Sequence, residues 1–217
     1  MIDTIYFDLD IASKKFSEVL KIDKNAGLIF VDELSKLKKY TEQKRMCVAI
    51  APLEIQKEFR DKGSYIIISA LDELFPFETV EGFNNQIRKL RAKEIALKAR
   101  ENAYAPYSKF KVGAALVSKK TKNIYHGCNV ENVSYGATIC AERSAILAAV
   151  AAEGAFEIES LVVVSKILAV PCALCLQVMV EFTSQESVIA LFDLEGNKKE
   201  YPFNQLLPHP FNDFPYG

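Results

Sequence analysis

The first part of the chain alternates short apolar runs with longer charged stretches. The apolar runs predict strands at residues 4–7, 27–31, 46–50 and 65–69. The stretches between them carry lysine- and glutamate-rich faces and predict helices at residues 12–21, 32–44 and 53–62. Strands that alternate with helices predict a small α/β unit with a parallel or mixed sheet. Its residues give no indication of a function.

A break in this pattern marks a domain boundary. Residues 74–82 contain Pro76 and Gly82 and interrupt the alternation. We therefore predict a small α/β domain of unknown function at residues 1–83 and a second domain at residues 84–217.

The second domain begins with a basic helix, predicted at residues 84–102. Ile87, Leu90 and Leu97 recur there at nearly helical spacing, and lysines and arginines fill much of the remainder. Such a charge run usually forms a solvated face, and the alternative is a surface for an anionic partner.

The remaining pattern predicts a mixed sheet covered by helices. Strands at residues 109–118 and 123–130 are joined by a short polar turn, which favours a hairpin. An alanine-rich helix, residues 141–152, ends at Gly154, and a second helix follows Cys172. Further strands are predicted at residues 161–165, 188–193 and 199–203, before an irregular tail rich in proline and aromatic residues.

Three cysteines and a glutamate occur in two short segments at the starts of these helices. Cys140 and Glu142 open the first helix, and Cys172 and Cys175 follow Pro171 at the second. Helix N-termini carry partial positive charge and favour thiolates. A single C-x-x-C pair is equally compatible with a redox or structural role, but the combined pattern indicates a zinc site of three cysteines with a nearby carboxylate. Three protein ligands leave a fourth position for water, as in catalytic zinc sites.

Composition limits the classes of partner and compartment. The formal net charge of −1 disfavours a broadly basic nucleic-acid-binding surface. Five cysteines, three of them in a ligand-like pattern, favour a reducing cytoplasm over a disulfide framework. The acidic N-terminus is unlike a signal peptide, and no uncharged apolar stretch reaches the ~18 residues of a membrane helix.

From about residue 87 to residue 211 the chain resembles the small, homotetrameric, zinc-dependent cytidine deaminases. The matching segments are Ala-Tyr-Ala-Pro-Tyr-Ser-Lys-Phe-Lys-Val-Gly-Ala-Ala from Ala103, Gly-Cys-Asn-Val-Glu-Asn from Gly127, Cys-Ala-Glu-Arg from Cys140, Pro-Cys-x-x-Cys from Pro171 and Leu-Leu-Pro-x-x-Phe from Leu206. The resemblance implies a three-layer α/β/α sandwich with a mixed sheet. It implies hydrolysis of cytidine or deoxycytidine to uridine or deoxyuridine and ammonia, in pyrimidine salvage.

The resemblance also implies roles for individual residues. Cys140, Cys172 and Cys175 would bind Zn²⁺, Glu142 would carry protons from water to the pyrimidine and then to the leaving ammonia, and Arg143 would hydrogen-bond the ligand sulfurs. The implied substrate-binding residues are Phe110, Asn129, Glu131, Ala141 and Phe211. Asn129 and Glu131 would contact sugar hydroxyls, and Phe211 would reach a neighbouring subunit's base, so an oligomer, a tetramer or a dimer, is expected. His126 and His209 match no ligand position, although His126 is a minor candidate near the metal.

The chain departs from the family pattern beside the cysteine pair. Ala173 replaces the usual glycine, Leu174 a small residue and Leu176 the usual arginine. The direct chemical residues remain, but these changes keep two alternatives open: a catalytically weak or repurposed binding module, and a deaminase of a modified nucleoside such as blasticidin S. Editing of a polynucleotide is disfavoured because no basic, aromatic strand-binding groove is evident.

Overall fold

The computed structural model describes residues 2, 4–8, 21–22, 26–74 and 77–211. The chain divides into two compact units, Met1–Glu94 and Ile95–Gly217. Among the described residues no helix is both long enough and apolar enough to cross a membrane.

The N-terminal unit contains a five-stranded parallel sheet. Its strands are β1 (Thr4–Asp8), β2 (Lys21–Ile22), β3 (Leu28–Val31), β4 (Met46–Ile50) and β5 (Ile66–Ile68). They lie in the order β2-β1-β3-β4-β5, an order found in doubly wound α/β folds. The four predicted strands are confirmed, and β2 was not predicted. The helix predicted at residues 12–21 lies outside the described residues except for Lys21, which is in β2.

Both faces of this sheet are buried, which explains why its strands are continuous apolar runs. Helices α1 (Leu34–Glu42) and α2 (Gln56–Asp61) follow β3 and β4. Their buried residues Leu37, Tyr40 and Phe59 pack on one face of the sheet together with Cys47.

The long helix α3 (Val80–Glu101) contributes to the other face of the N-terminal core. Phe83, Ile87 and Leu90 pack in a cluster with residues of β1, β3, β4 and β5. The helix therefore starts earlier than predicted, and the division between the units comes after Glu94, whereas the sequence predicted a boundary after residue 83.

The prediction that the charges of this helix form a solvated face is wrong for its middle turn. Lys93 is 8% and Glu94 5% exposed. Glu94 accepts a hydrogen bond from Arg60 Nε at 2.7 Å, and Lys93 lies 3.9 Å from a Glu73 carboxylate oxygen. Charged side chains are buried there because they are paired.

The C-terminal unit is built on a mixed five-stranded sheet. Its strands are β6 (Gly113–Ser118), β7 (Ile124–Cys128), β8 (Ile158–Val164), β9 (Thr183–Phe192) and β10 (Lys198–Pro202). They lie in the order β10-β9-β8-β6-β7, and β8 and β9 form the parallel pair. The predicted β6–β7 hairpin is confirmed.

Helices cover both faces of this sheet and give the predicted three-layer α/β/α arrangement. Helices α4 (Ala141–Glu153), α5 (Ala173–Val180) and the unpredicted α6 (Phe203–Leu206) contribute to one apolar core. On the opposite face the last turns of α3 lie so close to Gly113 that a Cβ there would stand 2.0 Å from the carbonyl oxygen of Ala96.

Strand direction brings the starts of α4 and α5 to one edge of the sheet. Strands β7 and β8 are both antiparallel to β6 and therefore run the same way. Helix α4 is the next α-helix after β7, and α5 is the next after β8. Their N-termini consequently share the edge at the carboxyl ends of these strands, where ligands usually bind in α/β sheets.

Candidate active site

The three predicted ligand sulfurs converge at this edge. Cys140 and Cys172 are the N-cap residues of α4 and α5, and Cys175 lies in the first turn of α5. The Sγ atoms are 3.7 Å apart for Cys140 and Cys172 and 3.4 Å apart for Cys172 and Cys175, and all three lie within 4.8 Å of one another.

This donor set fits zinc in both spacing and chemistry. A tetrahedral zinc ion with bonds to sulfur of ~2.3 Å holds its sulfur ligands roughly 3.8 Å apart, close to the observed separations. Three soft sulfur donors favour zinc over the hard cations Mg²⁺ and Ca²⁺. Within the described residues, Cys140, Cys172 and Cys175 form the cluster suited to a metal ion.

Positive charge beside the cluster favours its thiolate form. Arg143 directs Nη2 at Cys140 Sγ across 3.7 Å, and the same nitrogen donates to the Thr138 carbonyl oxygen at 2.9 Å. Hydrogen bonds from Cys175, Arg143 and Cys172 lower the pKa of the Cys140 thiol to about 5, with the Cys175 contribution the largest. The Cys175 pKa is raised because its thiol donates to Cys140 and is buried.

Glu142 lies in the first turn of α4, two residues after Cys140. It is only 5% exposed, and burial raises the pKa of its carboxyl group above the ordinary value. A carboxyl group with a raised pKa in a dry site can accept and return a proton near neutral pH. Ala141, beside it, is fully buried.

Close packing fixes the position of the first helix. Gly127 in β7 lies against α4, and a Cβ there would stand 2.4 Å from Ser144 Cβ and 2.6 Å from the Ala145 nitrogen. The Ser144 hydroxyl donates to the Cys128 carbonyl oxygen at 3.1 Å. Strand β7 thus holds the turn that carries Cys140 and Glu142.

Glu131 lies in an open pocket of about 390 Å³. The backbone N–H groups of Tyr107 and Ser108 donate to its Oε2 at 2.9 and 3.2 Å, and the Ser108 hydroxyl donates to its Oε1. These hydrogen bonds, the Ser108 hydroxyl first, hold the pKa of the Glu131 carboxyl below its usual value. The carboxylate is therefore ionised and oriented without a ligand.

Asn129 does not direct a free amide into this pocket. Its Nδ2 donates to the Phe110 carbonyl oxygen at 2.9 Å, and its Oδ1 accepts from the Val112 N–H at 2.8 Å. It is 9% exposed and fastens the segment that precedes β6. Phe110 lies in this segment and is half-buried. The residue before it, Lys109, has a left-handed backbone conformation with a φ of 58°.

The C-terminal segment reaches the start of α5. Gln177 Nε2 donates to the Phe211 carbonyl oxygen at 2.6 Å, and Gln177 Oε1 accepts from the Phe211 N–H at 3.4 Å. The Phe211 side chain is 67% exposed. The structure thus places Phe211 beside the helix that carries Cys172 and Cys175.

The departures from the family pattern lie in different surroundings. Leu176 is 7% exposed and packs in the apolar core that also contains Cys175. Leu174, between the two cysteines, is 66% exposed. His126 is exposed on β7 and is not part of the cysteine cluster.

Several pocket residues were not predicted from the sequence. Besides Glu131 the pocket is lined by Tyr107, Ser108, Asn132, Tyr135 and Thr138. The Tyr107 and Tyr135 rings lie edge to face with centroids 6.3 Å apart. Tyr107 and Ser108 stand inside the first matching segment and Asn132 inside the second, so their place in these segments was the available signal.

Comparisons with known proteins agree with this geometry. The family model for the cytidine and deoxycytidylate deaminase zinc-binding region matches residues 87–191. The cytidine deaminase of Sporosarcina psychrophila is 44% identical over 117 residues, 53% of this chain and 85% of that protein. The cytidine deaminase of Halalkalibacterium halodurans is 42% identical over 126 residues, 57% of this chain and 93% of that protein.

A solved structure gives the same result. The crystal structure of cytidine deaminase from Burkholderia pseudomallei is 43% identical and superposes with a TM-score of 0.51, covering 55% of this chain and 96% of that one. The range matched by the family model contains Cys140, Glu142, Cys172 and Cys175. The chain belongs to the zinc-dependent cytidine deaminase family.

Proposed function

We propose that the chain catalyses hydrolytic deamination of cytidine and deoxycytidine to uridine and deoxyuridine, with release of ammonia. The observation that carries this proposal is the convergence of three cysteine sulfurs at the starts of two helices, beside the buried carboxyl group of Glu142. Relatives named cytidine deaminases, which align over most of their own length, support the choice of substrate.

Cys140, Cys172 and Cys175 would hold the zinc ion. Bound there, zinc acts as a Lewis acid that activates water for attack on the pyrimidine. Arg143 and the two helix N-termini offset the negative charge of three thiolates, which would otherwise weaken that activation.

Glu142 would be the proton carrier. Its raised pKa would allow it to take one proton from the attacking water and pass it to the ring nitrogen, and then to take the second proton from the new hydroxyl group and pass it to the departing amino group. The new C–O bond replaces the C–N bond, so water and cytidine yield uridine and ammonia without any further reactant.

The pocket around Glu131 would receive the sugar. The carboxylate supplies acceptors for hydroxyl groups, and Asn129 holds the adjoining segment, with Phe110 beside the nucleoside. Ala141, buried at the start of α4, would limit the space beside the base.

We further propose that a second copy of the chain completes the site within a homotetramer or a dimer. Phe211 is fastened by its backbone to Gln177 while its ring is 67% exposed, a position suited to contact with a neighbouring subunit's substrate. Large exposed apolar side chains on the same unit, such as Leu147 and Val133, supply surface for such an interface.

The proposed setting is pyrimidine salvage in the cytoplasm. All five cysteines are free thiols, which suits a reducing compartment in which a three-cysteine zinc site persists. We propose that the N-terminal unit, predicted from the sequence as residues 1–83 and extending to Glu94 in the structure, is a separate domain whose role lies outside the reaction.

Turnover of cytidine by zinc-loaded protein tests the proposal, with Glu142→Gln as the decisive variant. We expect ammonia release and the ultraviolet change of deamination in the wild type, and a loss of at least about 10²-fold in the variant. Zinc content should stay at one ion per chain, because Glu142 is not a ligand.

A folded protein with one zinc per chain and no turnover would contradict the reaction. A panel that includes blasticidin S and deoxycytidine would then identify a modified-nucleoside deaminase. Nucleoside binding without any turnover would indicate a repurposed module.

A further inference from the structure

The Ser108 hydroxyl occupies the centre of a hydrogen-bond chain in the pocket. It donates to Glu131 Oε1 and accepts from the Phe110 N–H at 3.0 Å. A serine hydroxyl has one proton. Because the Phe110 N–H approaches as a donor, that proton is directed at the carboxylate, and the two hydrogen bonds polarise each other.

The chain continues from Phe110 into Asn129. The Phe110 carbonyl oxygen accepts from Asn129 Nδ2, and Asn129 Oδ1 accepts from the Val112 N–H. One continuous path therefore joins Glu131, Ser108, Phe110 and Asn129. It contains three of the five residues for which the sequence resemblance implied nucleoside contacts, and also Ser108, for which the resemblance implied none.

A short backbone ladder relates this path to the cysteine cluster. Val130, between Asn129 and Glu131, exchanges two backbone hydrogen bonds with Ile139, at 2.9 and 3.1 Å. Ile139 directly precedes Cys140 in the chain. These hydrogen bonds fix the main chain beside Glu131 relative to the segment that leads into Cys140. The side-chain rotation of the Glu131 carboxylate must be fixed by other contacts.

The donors around Glu131 fix that rotation and leave little capacity unused. A carboxylate offers about four acceptor positions, and Tyr107 N–H, Ser108 N–H and the Ser108 hydroxyl occupy three of them. One position then remains for a hydroxyl donor from a ligand in the open pocket.

We propose that Ser108 is a positioning residue that makes the site selective for nucleosides with a 2′- or 3′-hydroxyl, by aiming the Glu131 carboxylate and coupling it to Phe110. This inference rests on the proposed function. A ligand without those hydroxyls gains nothing from the aimed carboxylate, so Ser108 should matter for one class of nucleoside and not for the other.

The test compares cytidine with 2′,3′-dideoxycytidine as substrates of Ser108→Ala and the wild type. We expect kcat/KM for cytidine to fall about tenfold, chiefly through KM, while kcat/KM for the dideoxynucleoside changes less than roughly twofold. Ser108→Thr keeps a hydroxyl and should restore most of the selectivity. Selectivity is the kcat/KM for cytidine divided by that for the dideoxynucleoside. When Glu131→Gln is already present, adding Ser108→Ala should reduce this selectivity by less than about twofold, because the two residues act through one interaction.

The matched control is Ser35→Ala. It removes a hydrogen bond of the same type, from a serine hydroxyl to the Glu33 carboxylate at 3.1 Å, on the N-terminal unit. It should leave both substrates unaffected. A uniform loss for both nucleosides in Ser108→Ala, or no loss for either, would overturn the proposal.

Calorimetric binding of the same two nucleosides separates this inference from the proposed function. If the zinc-loaded wild type binds cytidine but never turns it over, the reaction is wrong, and the ratio of the two dissociation constants still tests Ser108. The ratio is the dissociation constant of the dideoxynucleoside divided by that of cytidine. If this ratio is tenfold smaller in Ser108→Ala than in the wild type, the positioning role is supported, and an unchanged ratio refutes it.

Discussion

Replacing Gly127 by alanine should disturb the zinc site through packing alone. Gly127 contributes no chemistry, but β7 and α4 approach each other at this position. An added Cβ would stand 2.4, 2.6 and 2.8 Å from three atoms of Ser144 and Ala145, against an ordinary contact of at least 3.4 Å. All three are backbone or Cβ atoms, so no side-chain rotation can make room.

The size of the effect follows from these distances. The shortfall at the nearest atom is 3.4 − 2.4 Å, so strand and helix must separate by on the order of 1 Å. Overpacking of this kind costs about 1–3 kcal/mol, and we expect about 2 kcal/mol because rigid atoms must move. For a unit of this size that lowers Tm by about 8 °C. Helix α4 carries Cys140 and Glu142, so zinc affinity and kcat should fall together.

Thermal unfolding, zinc competition with a chelator, and cytidine turnover measure the three consequences. Gly27→Ala is the control, because a Cβ there would meet no atom within 4 Å. A Gly127→Ala protein that melted within about 1 °C of the wild type and held zinc equally well would refute this account of how α4 is placed.

Two further perturbations test other contacts of the C-terminal unit. Glu153→Gln should lower Tm at pH 7, because hydroxyl hydrogen bonds, that from Ser118 foremost, lower the pKa of Glu153 from 4.5. Its stabilisation is present above the ordinary pKa and is lost as the pH falls through the lowered pKa, so the Tm difference should vanish in acid, and a Tm difference that persisted there would contradict this account. Gln177→Ala should raise KM roughly threefold to tenfold with zinc content unchanged, since it releases the backbone of Phe211. In a Phe211→Ala background the same change should have no effect, and an additive loss would show that Gln177 acts elsewhere.

The regular elements were predictable where burial imposes a period on the sequence. Strand β4 was predicted with its observed bounds, because all of its neighbours bury it and the run Met46–Ile50 is uniformly apolar. Strand β2 has two residues, too few for any period, and it could not be recognised. The burial of Lys93 and Glu94 could not be predicted either, because their ion-pair partners, Glu73 and Arg60, are distant in sequence.

The metal half of the site was predictable for a physical reason. Cys140, Cys172 and Cys175 sit at helix starts, and helix starts are recognisable from Pro171 and from the alanine-rich run that ends at Gly154. Sheet topology then brings the starts of these helices to one edge of the sheet, so the spacing of the cysteines in the sequence was nearly sufficient to predict the metal cluster.

The substrate half depends on side-chain rotations, which a sequence does not encode locally. Asn129 is predicted to contact a sugar; in the structure its Nδ2 donates to the Phe110 carbonyl oxygen, its Oδ1 accepts from the Val112 N–H, and Glu131 lines the pocket. The metal cluster is held by main-chain elements, and the proposed sugar pocket by a chain of single hydrogen bonds. Substitutions at Ser108 should therefore alter substrate choice without loss of zinc, whereas those at Gly127 should lower both zinc affinity and kcat. This contrast predicts that selectivity in this chain can change while the reaction centre is preserved.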